Sequence, residues 1–338
     1  MKSIKYCSIA LLPLALGMHS TQAAELEFGG LVEAELFVGD EFTGADYSDI
    51  VLATIELGVD ARLNDRVSAH LLMLHEDDDT EPMEVDEGFI SVRLDHGLSV
   101  SAGRMYVPFG SFESHFITDP LTIELGETRE AAAVLSYVGD NGLYGAVYAF
   151  NGDTIEAGNN GDETIDGVGG SIGYLWEDGD MSLDVGLDYI SNIADGDTTS
   201  DTLSGGTYPH TLQEYVNAMA LHANYTRGPL AVFFEYMASD QYNVADLGFN
   251  GRGAEPTAVN LEAGYDFGWS TAMIGYQGTD EAVNLELPEH LILVGLSKEI
   301  YENTYLSAEY GMYEDYSSAA GGTGNDKNLL TVQLAVEF

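Results

Sequence analysis

Cysteine, basic residues and long apolar runs are all scarce in this chain of 338 residues. Its one cysteine, Cys7, has no partner within the chain, so no disulfide framework can form. Lys and Arg number 11 against 57 Asp and Glu, which gives a formal net charge of −46. Nucleic acid is therefore excluded as a partner, because phosphate binding requires clustered cations. No apolar run beyond residue 23 reaches the roughly 18 residues of a membrane-spanning helix.

The first residues predict a secretory signal peptide over 1–23. Lys2 and Lys5 supply positive charge, a short apolar stretch follows, and Ala23 ends a small-residue cleavage motif. Residues 24–338 would then form a single domain without cysteine, because Cys7 lies within the signal. Thiolate catalysis is excluded in that domain.

Apolar and polar side chains alternate with a period of two along much of the chain. The clearest case runs from Val51 to Leu63, where Ile55 and Leu57 alternate with Thr54 and Glu56. Stretches of about 10 residues with this period are typical of strands that face lipid on one side and water on the other. A soluble sandwich also alternates, but its strands average about five or six residues.

The spacing of these stretches predicts how many strands there are. Tight links of a few residues alternate with eight longer polar links. The long links are predicted over 39–49, 75–87, 109–128, 151–166, 191–215, 239–256, 277–289 and 313–327. Seven short links and eight long ones join sixteen strands. We therefore predict an all-β fold, a 16-stranded antiparallel transmembrane β-barrel with short turns on one side and long loops on the other.

The final strand carries the most specific signal. From Leu330 to Val336, every second residue is apolar, so these side chains share one face of the strand. Phe338 is the last residue, so the terminal carboxylate belongs to an aromatic residue. This resembles the signal by which the barrel assembly machinery of the outer membrane recognises its substrates. Tyr and Trp near strand ends suit the headgroup boundary. We expect the chain in the outer membrane of a Gram-negative bacterium, in contact with lipid and lipopolysaccharide.

Alternation also assigns charged residues to the lumen, because a charge facing lipid at the midplane costs about 2–4 kcal/mol. The predicted lumen-facing residues are Glu33, Glu35, Glu56, Asp60, Arg62, Arg93, Asp184 and Asp188, and the same rule adds Glu235, Glu262 and Glu309. Sixteen strands leave an aqueous channel. A passive pore is the expected outcome, although a saline habitat alone could also produce such acidity.

The third long link differs from the others in mixing apolar and charged residues with Pro108, Gly110, Pro120 and Gly126. We predict that this third extracellular loop folds inward and narrows the pore, where charged side chains select ions. The candidate constriction residues are Arg104, Glu113, His115, Asp119, Glu124, Glu127 and Arg129. The alternative is a surface-packed loop with solvated charges.

Three segments of the same region carry a family resemblance. They read Val107-Pro108-Phe109-Gly110, Thr118-Asp119-Pro120-Leu121-Thr122 and Glu124-Leu125-Gly126-Glu127-Thr128-Arg129-Glu130. Together with Phe28–Glu33 and the last strand, they resemble the LbtU-type siderophore porins of the outer-membrane porin superfamily. The resemblance implies a 16-stranded barrel that takes up ferric siderophore without a TonB-coupled plug.

The sequence offers little for catalysis or tight metal binding. Asp77, Asp78 and Asp79 are hard-oxygen donors for Ca²⁺ or Mg²⁺, but they lack the spaced pattern of a defined calcium loop. Loose binding of these ions, or a merely solvated loop, is expected, and no other cofactor. Neither H-x-x-x-H nor H-E-x-x-H occurs. We therefore predict that the protein is not an enzyme.

Two functions remain in view. Uptake of ferric siderophores is the first, and general diffusion with a preference for cations is the alternative. A phosphate-type porin or an outer-membrane enzyme is less favoured, because basic residues are few and no catalytic cluster is evident. A homotrimer is left open, since no segment of the sequence marks a protomer interface.

Overall fold

A computed structural model describes residues 25–77, 82–158, 164–205 and 208–338. The predicted signal peptide 1–23 lies outside these ranges, and so do Asp78 and Asp79. No helix in the described part of the chain is long and apolar enough to cross a membrane.

Sixteen long strands form one closed antiparallel sheet, in which each strand pairs with its neighbours in chain order. The strands are β1 Glu25–Asp40, β2 Asp46–Arg62, β3 Val67–Glu76, β4 Glu84–Arg93, β5 Leu98–Tyr106, β6 Arg129–Val138, β7 Leu143–Asn151, β8 Gly167–Asp178, β9 Met181–Ile190, β10 Ala218–Arg227, β11 Leu230–Ser239, β12 Thr257–Asp266, β13 Thr271–Asp280, β14 His290–Tyr301, β15 Thr304–Glu314 and β16 Asp326–Glu337. The pairing of β1 with β16 closes the ring. The predicted 16-stranded antiparallel barrel is confirmed.

The alternation of side chains explains why this sheet closes. On β1, Phe28 is 72% exposed on the outer face, whereas Glu33 on the inner face is 2% exposed. On β12, Leu261 points outward between the inward Asn260 and Glu262. Because an unpaired backbone group in hydrocarbon costs several kcal/mol, an apolar outer surface requires a sheet without edges.

The two ends of the barrel differ, as the link lengths predicted. Seven links on one side have two to four residues, and the eight on the other side are longer. The longer links carry two short helices, α1 Leu121–Gly126 and α2 Asp197–Ser204. They also carry two 3₁₀ turns, Ile193–Asp195 and Val283–Leu285, and short strand pairs.

The buried apolar residues gather where loops fill one end of the barrel. Phe109 and Leu125 come from the link after β5, Ile193 from the link after β9, and Leu285 from the link after β13. All four belong to one cluster together with inward-facing wall residues such as Met237. The core of this protein therefore lies inside the ring, between loops and wall.

The seam between β1 and β16 is completed by the last residue. The Phe338 amide donates to the Gly30 carbonyl at 3.0 Å, and the Gly30 amide donates to the Phe338 carbonyl at 2.9 Å. The ring of Phe338 lies on Gly30, where a Cβ would stand 2.6 Å from the ring. A Cβ at the neighbouring Gly29 would meet nothing closer than 3.8 Å.

We expect Gly30→Val to impair assembly of the barrel, because the new side chain occupies the space of the Phe338 ring. Gly29→Val is the matched control on the same strand. The measurement is the fraction of heat-modifiable folded protein in outer-membrane preparations, with deletion of Phe338 for comparison. Equal folded fractions for Gly30→Val and Gly29→Val would contradict this role of the seam.

Candidate pore constriction

The link between β5 and β6 leaves the wall and returns to it at one point. The Val107 amide donates to the Thr128 carbonyl at 2.9 Å, so residues 107–128 form a loop with a closed base. We call this segment loop L3. Its backbone amides donate to side chains on the inner faces of β9, β11, β12, β13 and β15. Loop L3 therefore lies inside the barrel.

Glu235 on β11 holds the first turn of loop L3. Its carboxylate accepts the Ser111 amide at 2.6 Å and the Phe112 amide at 3.2 Å. It also accepts the hydroxyl of Thr122 from α1 at 2.7 Å. Bonds to a charged acceptor are stronger than neutral ones, so one buried carboxylate ties together two separate parts of the loop.

Two further carboxylates hold the middle of the loop. Glu262 on β12 accepts the His115 amide at 2.7 Å. Glu309 on β15 accepts the Ile117 amide at 2.7 Å and the Thr118 amide at 3.0 Å. Irregular backbone lacks the internal bonds of a helix or strand, so these side chains satisfy donors that would otherwise be buried without partners.

Apolar and aromatic contacts fix the loop against the same wall. The His115 ring stacks on Phe233 of β11 with centroids 4.3 Å apart, and it lies over Gly264. A Cβ at Gly126, the last residue of α1, would stand 2.3 Å from the sulfur of Met237. Only glycine permits this close approach of α1 to β11.

The base of loop L3 is an ion-pair cluster around Arg129. Its guanidinium contacts Asp86, lies 3.3 Å from Glu84 and lies 3.5 Å from Asp197 of α2. The Arg129 amide also donates to Asp197 at 3.2 Å. Burial raises the pKa of Asp197 to about 6, despite the opposing charge of Arg129. Arg129 is thus neutralised by three carboxylates.

Loop L3 carries titratable groups with displaced pKa values. Burial, with Asp184 and Glu235 nearby, raises the pKa of Glu113 to about 7. Burial and the charge of Asp197 hold the pKa of Glu127 well above its usual range. Burial lowers the pKa of His115. Burial therefore disfavours the charged form of both Glu127 and His115.

A cavity of about 320 Å³ separates loop L3 from the opposite wall. Its lining residues come from the loop, from the link after β13 and from β1, β14, β15 and β16; they are Glu35, Phe37, Ile117, Thr118, Asp119, Leu121, Glu124, Leu287, Pro288, Leu291, Tyr313 and Thr331. Three of these described lining residues are carboxylates and none is Lys, Arg or His. The space beside the loop is therefore acidic.

The structure brings only some of the predicted constriction residues to this cavity. Asp119 and Glu124 line it, whereas Glu113 packs near Asp184 and Glu235 on the far side of the loop. Arg104 is exposed and is not among the residues that line the cavity. It therefore does not stand with Asp119 at the cavity.

The predicted lumen residues lie on inner strand faces in the strand register. Glu33 pairs with Thr54 and Glu56 with Leu31. Asp60 accepts from the Nδ1 atom of His70 at 2.8 Å, and Arg62 lies 3.9 Å from Glu25. The remaining members occupy inner faces of β1, β4 and β9; they are Glu35, Arg93, Asp184 and Asp188.

Several functional contacts have no signal in the sequence. Gln277 accepts the Leu121 amide at 2.9 Å, and Asn224 donates to Ser111 at 2.8 Å. Leu287 and Tyr313 reach the cavity from distant links and strands. Neutral residues on the wall carry no pattern that marks them as supports for a loop more than a hundred residues away.

The acidic segment after β3 is only partly described. The Asp77 amide donates to the Ala53 carbonyl at 3.1 Å, and Asp78 and Asp79 lie outside the described ranges. Within residues 25–77, 82–158, 164–205 and 208–338, no group of three or more His, Cys, Asp or Glu could hold a metal ion. Loose binding of Ca²⁺ or Mg²⁺ by the predicted triplet stays a prediction.

The chain is similar to two curated relatives, and no family model matches it. A UPF0422 protein of Coxiella burnetii is 29% identical over 330 residues, which cover 92% of this chain and 69% of that protein. A UPF0422 protein of Legionella pneumophila subsp. pneumophila is 29% identical over 336 residues, which cover 86% of this chain and 62% of that protein. The chain therefore spans roughly two thirds of these relatives.

Solved structures of outer-membrane porins share the fold. The channel DcaP of Acinetobacter baumannii matches this chain with a TM-score of 0.65 at 15% identity. The match covers 96% of this chain and 100% of the DcaP chain. An anion-selective porin from Comamonas acidovorans has a TM-score of 0.66 at 14% identity, with 94% of this chain and 100% of its own covered. The chain has the porin barrel fold. The narrower resemblance to LbtU-type siderophore porins stays a prediction.

We expect Glu262→Gln to loosen loop L3, because the amide side chain lacks the charge that strengthens the His115 bond. A hydrogen bond to a charged group contributes about 1.5–3 kcal/mol. The measurement is the rate of cleavage by a glutamate-specific protease within the loop of the folded protein. Glu302→Gln, in a short turn, is the control. Unchanged protection in Glu262→Gln would contradict the role of this carboxylate.

We expect Glu113→Gln to stabilise the barrel at pH 8 and to have little effect at pH 4. The pKa of Glu113 is about 7 in the folded protein, against roughly 4.3 in an unfolded chain. The folded state therefore binds the extra proton between these values, and stability falls as pH rises through them. The measurement is the midpoint of thermal unfolding in detergent. An equal shift at both pH values would contradict this linkage.

Proposed function

We propose that this protein is a passive channel of the Gram-negative outer membrane that prefers cations. The observation that carries the proposal is the acidic cavity between loop L3 and the wall, bordered by Asp119, Glu124 and Glu35. Rings of carboxylates raise the local concentration of cations and oppose anions. Basic residues are few, and Arg129 is already paired with three carboxylates, so it does little to offset the negative charge of the cavity.

The barrel geometry supports passive diffusion. Sixteen strands enclose more space than side chains alone can fill, and loop L3 occupies part of it. A solute would pass between the loop and the wall formed by β1 and β16, where the cavity lies. Neither an energy-coupling element nor a catalytic step is part of this proposal, and we propose that the chain is not an enzyme.

Uptake of ferric siderophores is the second candidate. It is supported by the resemblance of Val107–Gly110 and Glu124–Glu130, which lie in or next to loop L3, to the LbtU-type family. An anionic ferric complex would meet Asp119, Glu124 and Glu35 in the cavity, so this function requires a neutral or cationic complex. A phosphate-type channel is disfavoured for the same electrostatic reason.

A homotrimer is proposed for the assembled protein. One solved structure with the same fold is the trimer form of OmpT from Vibrio cholerae. It matches this chain with a TM-score of 0.61 at 16% identity, and the match covers 94% of this chain and 100% of the OmpT chain. Its assembly is a property of that protein and supports the proposal by analogy only. Outer-membrane lipid, lipopolysaccharide and the barrel assembly machinery are the other proposed partners.

We expect the double variant Asp119→Asn, Glu124→Gln to lower the potassium-to-chloride permeability ratio by roughly twofold or more, because it removes two charges from the cavity. The measurement is the reversal potential of purified protein in planar bilayers under a KCl gradient at pH 7. Glu302→Gln, in a short turn at the other end of the barrel, is the matched control. A preference for anions in the wild type would overturn the proposed function.

Siderophore uptake is tested separately in cells that lack TonB. Accumulation of a radiolabelled ferric siderophore is compared in the presence and absence of this protein. Protein-dependent uptake that persists without TonB supports the second candidate. Ion conductance together with unchanged iron accumulation would overturn the siderophore function. General diffusion of cations would then be the remaining candidate function.

A further inference from the structure

The cavity beside loop L3 has two chemically different sides. Asp119 and Glu124 on the loop and Glu35 on β1 supply carboxylates. The remaining lining residues are mainly apolar or aromatic; they include Phe37, Leu121, Leu287, Leu291 and Tyr313. A simple ion path needs only the charged side. The apolar side provides contact for a solute that carries hydrocarbon as well as charge.

The carboxylate side is held in place by neutral hydrogen-bond donors. Glu35 is 9% exposed and accepts from the Nε2 atom of Gln333 at 2.7 Å. Glu124 accepts from the Thr198 hydroxyl of α2 at 2.9 Å. These hydrogen bonds orient the two carboxylates beside the cavity.

The aromatic side already meets an ammonium group of the protein itself. The Lys327 nitrogen lies 4.6 Å from the centre of the Tyr313 ring and 5.0 Å from that of Phe42. Tyr313 lines the cavity and pairs with Lys327 in the register of β15 and β16. A cation within about 6 Å of a ring centre is attracted by the negative face of the ring. The Tyr313 ring therefore presents a face that attracts cations, and Lys327 lies against that face.

We propose that this cavity is a binding subsite for a small organic ammonium solute with an aryl or short alkyl group. The ammonium is recognised by Asp119, Glu124 and Glu35, and the hydrocarbon packs on Phe37 and Tyr313. The inference deepens the proposed function, because it names the class of cation for which the channel has affinity. Lys327 competes with the solute for the same aromatic edge.

The test uses benzylammonium as the probe, with benzyl alcohol as its neutral counterpart and ammonium as the cation without a ring. Binding to full-length protein in detergent is measured by titration calorimetry at low salt, independently of conductance. We expect benzylammonium to bind more tightly than either counterpart. Its affinity should fall as KCl concentration rises, because salt screens the carboxylates.

Matched variants separate the two sides of the cavity. We expect the double variant Asp119→Asn, Glu124→Gln to lower the affinity for benzylammonium about tenfold. We expect Phe37→Ala to lower the same affinity about threefold. Neither variant should lower the affinity for ammonium by the same factor as it lowers the affinity for benzylammonium. Lys327→Gln should tighten binding, because a competing positive charge is removed. Asp140→Asn, in a short turn at the other end of the barrel, is the control.

The outcomes distinguish the subsite from the channel function. Potassium-selective conductance with equal affinities for benzylammonium and benzyl alcohol overturns the subsite and leaves the channel standing. Benzylammonium binding without conductance supports the subsite and overturns the channel. Weaker binding after Lys327→Gln would overturn the assigned aromatic edge, since it would make the lysine a support for the solute.

Discussion

Satisfaction of backbone hydrogen bonds is the constraint from which both the wall and the interior of this barrel follow. In the wall, each strand pairs with two neighbours and the ring has no edge, as hydrocarbon requires. Inside the ring, α1 is the regular part of loop L3, and amides of the irregular stretch before it need acceptors from the wall. Glu235, Glu262 and Glu309 take these amides. The same physical requirement is thus met by strands outside and by carboxylates inside.

This division explains why so acidic an interior folds. One group of carboxylates accepts amides of loop L3 and acts as structural support. A second group, which includes Asp119 and Glu124, borders the cavity. A third, around Arg129, is balanced by that guanidinium. The first group is thus satisfied by amides and the third by ion pairs.

The position of loop L3 also links structure to selectivity. The loop packs against β11 through His115 and Gly126, so the open space is displaced towards β1 and β16. Under the proposed function, this displacement means that a residue in the loop affects permeation when it faces that side. Glu127 and Glu113 belong to the same segment as Asp119, yet neither lines the cavity, and burial raises the pKa of both carboxyl groups.

The sequence by itself determined the strand number, the barrel and the face on which each charge lies, because a period of two and alternating link lengths are local properties. It also singled out loop L3 by composition. Only the tertiary structure decided which carboxylates support the loop and which border the cavity. Contacts such as that of Glu309 with the Ile117 amide join residues far apart in the chain. The alternation of residues predicts that a side chain points inward, but it does not predict which residue that side chain contacts. Neither Arg104 nor Glu127 lines the cavity, and this placement depends on such neighbours rather than on the pattern of residues alone.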